Sequence, residues 1–204
     1  MTTSKAHPVR STRNAPTVAT QNSLPFLLLG CQVLVFGTTE HLHCFGTYLK
    51  VSVPEKLSVL IGNWRGVNRL HMPWNAQDPL HESQATAEVR TRSGGQILEI
   101  AYTWNYEVTL REGVLQICCE GKGSAVTASW TDSWHLAHQL MHCEGLETEN
   151  GGISVTGAYK VAEHPDWGWR TEIVPGSDSF RYLMFNISPQ GEEDLAVEME
   201  LSAP

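Results

Sequence analysis

Asp132, Ser133 and His135 stand within four positions of one another in the block Asp132-Ser133-Trp134-His135, and these are the residue types of a hydrolase triad. A triad works only where nucleophile, base and orienting acid converge. Side chains on a strand alternate, so Asp132 and Trp134 are expected to face one way, Ser133 and His135 the other. No GxSxG elbow surrounds the serine. A hydrolase is therefore not expected, and the balance lies against an enzyme without excluding one. The same histidine opens an HxxHxxxH run with His138 and His142. On a helix such spacing can ligate zinc or iron on one face. On a strand His138 and His142 share a face that His135 opposes, and carboxylate or cysteine partners at ligand spacing are missing, so no metal is assigned. One histidine would suffice for haem, with His135, His142 and His164 as donors. The nine histidines keep haem as an alternative, while no cofactor is predicted.

The elements that must position these groups follow from hydrophobic spacing. Leu98, Ile100, Tyr102 and Trp104 alternate with Glu99, Ala101 and Thr103; Val126, Ala128 and Trp130 alternate with Thr127, Ser129 and Thr131. Leu195, Val197, Met199 and Leu201 repeat the pattern near the end. Period two is the mark of half-buried strands. Turn signals recur at Ser93-Gly94-Gly95, Gly121-Lys122-Gly123, Asn150-Gly151-Gly152, Pro175-Gly176-Ser177 and Pro189-Gln190-Gly191, with no helix-length segment between them. The spacing predicts strands near 64–72, 82–92, 95–105, 112–119, 124–131, 136–145, 152–161, 167–174, 180–187 and 194–202. A meander of that length either closes or leaves a long edge exposed. The expected fold is all-β, an antiparallel up-and-down barrel of eight to ten strands. A short helix over residues 55–61, carrying Leu57, Leu60 and Ile61, is expected to precede it.

Residues 1–53 read as a poorly ordered extension to a domain over 54–204. Positions 1–23 are rich in Ser, Thr, Asn and Pro, and the apolar stretch Leu24–Gly37 is shorter than the roughly 20 residues of a spanning helix. No stable membrane span is expected. Leu28-Leu29-Gly30-Cys31 loosely imitates a lipoprotein box, but the apolar run continues past it, so export is the lesser alternative. A net charge of −8, from 14 basic against 22 acidic residues, gives no field for nucleic acid. Five cysteines without a CxxC pair read as reduced thiols in a cytoplasmic protein.

Barrels of this strand number tend to enclose room for one small ligand. Trp64, in Gly62-Asn63-Trp64-Arg65-Gly66, is expected to plug one end, with Arg170 of Trp167-Gly168-Trp169-Arg170 across its ring as a cation–π partner. Tyr102, Trp104, Trp130, Trp169 and Met184 or Phe185 are candidates for the wall, and His135 for a polar contact that orients a bound molecule. A GxW block that opens a meander barrel resembles the calycin group: lipocalins, fatty-acid-binding proteins and nitrobindins. The arrangement over residues 55–204 is more similar still to a bacterial domain-of-unknown-function family with a short helix like Lys56-Leu57-Ser58-Val59-Leu60, then GxWxG, DSWH and WGWR blocks. The calycin resemblance implies carriage of a ligand in the barrel; the second implies no activity. The expected function is binding of a small, mainly apolar molecule, with haem or metal binding as alternative. A barrel filled by its own side chains and serving as an interaction module is a third expectation, and a homodimer is compatible with any of them.

Overall fold

The computed structural model describes Val53 and residues 55–204, apart from 120–123 and 137–138. The expectations for residues 1–52 and for His138 fall outside the described residues. Val53 is buried in the core, one position before the expected domain start.

Ten strands alternate apolar and polar residues as the spacing requires: β1 (Gly62–His71), β2 (Leu80–Arg92), β3 (Ile97–Tyr106), β4 (Thr109–Cys119), β5 (Ala125–Asp132), β6 (Met141–Glu147), β7 (Ile153–Tyr159), β8 (Trp167–Pro175), β9 (Ser179–Ile187) and β10 (Glu193–Ser202). Each pairs antiparallel with its neighbour in sequence, and β1 pairs with β10 to close the barrel. Closure leaves no row of unpaired backbone groups along an edge. The helix is one short turn, α1 (Glu55–Ser58), shorter than its apolar spacing suggested.

The sixth strand departs from expectation. It begins at Met141, not near 136, because the Asp132 carboxylate accepts hydrogen bonds from the backbone N–H groups of Trp134 and His135, at 2.6 and 2.9 Å, and turns the chain there. Short polar side chains that bond to backbone two or three residues on favour such turns over strand.

The inward face is apolar and aromatic, with Leu98, Ile100, Leu115, Ile153, Tyr182 and Phe180 almost wholly buried. Outward residues carry most of the charges, Asp132 and Arg111 being inward exceptions. Arg69 bonds to Glu82, Glu198 and Glu200, tying β2, β1 and β10 across the closing seam. Arg90, Arg92 and Gln116 converge on Glu99, linking β2, β3 and β4. The Gln116 hydrogen bond, together with the two guanidiniums, outweighs the burial of Glu99 and holds its pKa down at about 2. This polarity, apolar within and charged without, is the reverse of a lipid-facing barrel. No helix among the described residues is long and apolar enough to cross a membrane.

Candidate functional site

The two ends of the barrel differ. At the end where the chain enters, Leu57 and Leu60 are fully buried and Trp64 Nε1 donates to the Leu60 carbonyl at 2.7 Å. The Trp64 ring meets Phe180 edge-on, with centroids 5.1 Å apart. Two glycines of the first block have local reasons. Gly62 has φ of +149°, a conformation L side chains rarely adopt. A Cβ on Gly66 would lie 1.8 Å from the Glu200 carbonyl oxygen, so glycine alone lets β10 come this close.

The expected Trp64–Arg170 pair is not formed. Trp169 takes the inward position on β8, so alternation sends Arg170 outward, where its guanidinium lies 4.0 Å from the Phe185 ring centre. Arg170 bonds there to Glu193 and Glu172. Its place is a surface ion cluster spanning β8, β9 and β10.

The opposite end carries the connections at 72–79, 107–108, 160–166 and 188–192 and the turn at 133–136. The turn after Asp132 delivers His135 into a cage of indoles, with ring centroids 5.2 Å from Trp169, 5.9 Å from Trp130 and 6.2 Å from Trp104. Trp130 and Trp169 stack nearly parallel at 5.1 Å. Trp134 joins Trp104 to Tyr106, at 6.0 and 4.2 Å. The aromatic chain ends at Tyr159, whose hydroxyl donates to Asn186 Oδ1.

Asp132 lies beneath this cage, 3% exposed. Its Oδ1 is 3.2 Å from His135 Nδ1, and its Oδ2 accepts the Tyr102 hydroxyl at 3.0 Å. Trp130 Nε1 in turn donates to the Tyr102 oxygen at 2.8 Å. Burial alone would raise the Asp132 pKa, but the side-chain and backbone hydrogen bonds of His135, with that of the Trp134 amide, hold it below the usual carboxylate value. Burial pushes the Tyr102 hydroxyl far up, so it remains a donor. The carboxylate thus orients the imidazole and leaves Nε2 for another partner.

Several buried polar atoms have no partner among the described residues: the Asn68 amide, Thr171 Oγ1, Trp169 Nε1, Arg111 Nε and His71 Nε2. Asn68 and Thr171 are fully buried in the inward phase of β1 and β8. A groove of about 1030 Å³ crosses the outer wall over β1–β5, lined largely by outward residues such as Arg65, Thr86, Glu88, Thr103 and Glu112. None of the unpartnered atoms belongs to a residue that lines it.

A family described as "Protein of unknown function (DUF1579)" matches residues 53–202, nearly the whole described chain. The chain belongs to the DUF1579 family. No curated protein matches it. Fourteen solved chains match, among them Rv2717c from M. tuberculosis, whose crystal structure aligns with a TM-score of 0.53 at 12% identity, covering 75% of this chain and 99% of that one. At that identity the likeness concerns the fold.

Of the seven candidate residues in this DUF1579 domain, Trp104, Trp130, His135 and Trp169 come together in the cage, and Tyr102 joins them through Trp130 and Asp132. Trp64 sits at the opposite end and Arg170 outside. Met184 faces inward and Phe185 outward. His142 and His164 are exposed, His142 beside Glu144, so His135 is the inner histidine among these donors. Among the described residues no three metal-ligating side chains converge. Strand alternation had separated Asp132 from His135; the turn brings them together. Ser133 stays apart, its Oγ accepting the Glu112 amide at 3.0 Å. Two participants were overlooked, Trp134 and Arg111. Arg111 left a signal, a cation in phase with Gly113, Leu115 and Ile117 on β4.

Proposed function

We propose that this barrel binds a small, mainly apolar molecule at the His135 end, in the manner of a calycin-like carrier. The observation that carries the reading is the indole cage: Trp104, Trp130 and Trp169 surround an imidazole fixed by a buried carboxylate. Indoles offer large apolar contact at small entropic cost, and one oriented polar group fixes the pose. The unpartnered Trp169 Nε1, Asn68 and Thr171 support it, since buried polar groups ordinarily find partners.

Native mass spectrometry of the full chain tests the proposal. The expected result is a small-molecule adduct that organic extraction removes, and that His135→Ala with Trp169→Ala weakens. A bare chain mass, with tryptophan fluorescence unmoved by a panel of apolar compounds, would overturn it.

Haem, which the nitrobindin resemblance implies, would find in His135 an imidazole with its Nδ1 already anchored. The indoles centred 5.2 to 6.2 Å away pack against that ring on three sides, where a macrocycle would have to displace them. A Soret band on haem addition that His135→Ala abolishes would reverse this judgement.

A further inference from the structure

We infer that the ligand is an apolar monocarboxylate whose headgroup is held by Arg111 at the rim of the cage. The inference rests on the ligand-binding reading above and adds the chemistry of the headgroup.

Arg111 lies on the inward phase of β4, opposite Trp104 of β3 in the sheet register. Its guanidinium carbon is 4.8 Å from the centre of the Trp134 ring, and Trp134 in turn touches Trp104. The side chain is therefore continuous with the cage. Its place in the β4 ladder and its stacking on Trp134 set its orientation.

Five of the other arginines on the barrel, Arg69, Arg90, Arg92, Arg170 and Arg181, are paired with glutamates on the outer surface. The Arg111 side chain has no ion pair or hydrogen bond with any described residue, and its Nε is buried. Among the described residues no carboxylate pairs with this inward guanidinium. The Asp132 charge is not available to it, being met by Tyr102, His135 and two backbone amides.

Of the unpartnered groups, Asn68 and Thr171 can donate or accept, whereas Arg111 and Trp169, the two that belong to the aromatic cluster, can only donate. Arg111 Nε is buried without a partner at the root of a five-donor guanidinium, and Trp169 Nε1 is a further donor that can never accept. A ligand that satisfies them must bring acceptors and a negative charge. One guanidinium balances one charge, and its planar fork matches the two oxygens of a carboxylate. The surrounding indoles dictate that the rest of the molecule be apolar.

Tryptophan fluorescence titrations of the full chain test this with matched pairs: dodecanoate against dodecanol, and naphthylacetate against naphthylethanol. The acid of a pair is expected to bind roughly tenfold to a hundredfold more tightly than its alcohol, the range of one charge-assisted pair. Arg111→Gln should abolish that preference. Arg111→Lys should restore part of it by returning the charge without the fork. Arg65→Gln, on the outer wall, should leave the preference as it is. Equal binding of acid and alcohol by the unaltered protein, or a preference that survives Arg111→Gln, overturns the carboxylate inference while sparing the apolar site. Failure of all four compounds to bind overturns both.

Discussion

Asp132 is the side chain on which the His135 end depends. It satisfies Tyr102, His135 and two backbone amides at once, so its removal leaves four donors without their acceptor, the Tyr102 hydroxyl fully buried and the other three half-buried. Asp132→Ala is expected to cost about 1–3 kcal/mol in urea unfolding, the range for leaving a buried hydrogen-bonding group unsatisfied. Its pKa is lowered in the folded state, which fixes the sign of the pH dependence. The carboxylate contributes stability above about pH 4, its ordinary value, and that contribution disappears as pH falls through the depressed folded value. Asp132→Asn should flatten this acid limb, as measured by urea midpoints across pH. The pairing with His135 was not legible in strand alternation, because the same carboxylate ends the strand that the alternation assumed. Its signal was an Asx turn, since aspartate followed by serine suits a turn as well as a strand end.

Glu99 joins three strands from outside, and its titration is a second probe of acid stability. With its folded value at about 2 against an ordinary 4.5, the stability it lends is complete above pH 4.5 and is lost as pH falls towards 2. Glu99→Gln should remove that loss, read as a smaller difference between thermal midpoints at pH 5 and pH 3. The helix end offers a packing test. Trp64 is buried, bonds to the Leu60 carbonyl and meets Phe180, so Trp64→Ala is expected to cost about 3–5 kcal/mol. An unchanged denaturation midpoint would refute the plug. That Trp64 seals an end was legible from its place at the start of the first strand. Its partner was not, because period two cannot tell which of Trp169 and Arg170 points inward until the sheet closes.

The closed barrel makes β1 and β10 interdependent although they lie at opposite ends of the domain. Gly66 is where their backbones approach, and a Cβ there meets the Glu200 carbonyl. Gly66→Ala is expected to destabilise by about 1–3 kcal/mol, as overpacking does, and the loss should concentrate at the seam. Hydrogen exchange at the amides of Arg65–Leu70 should quicken more than at β4 or β5; uniform acceleration throughout would argue against a local seam effect.

Sequence by itself determined an antiparallel meander of eight to ten strands and the apolar nature of one face, with only the start of the sixth strand misplaced, because alternation and turn residues act over a few neighbouring positions. It also marked Trp104, Trp130, Trp169 and His135 as candidates from their types alone. Only the tertiary structure decided that these four share one end, that Trp64 lies at the other, and that Arg170 faces out while Arg111 faces in. The reason is geometric: which strands meet across a barrel, and which phase of each is enclosed, depend on closure between residues more than a hundred positions apart. Period two within one strand carries no information about that.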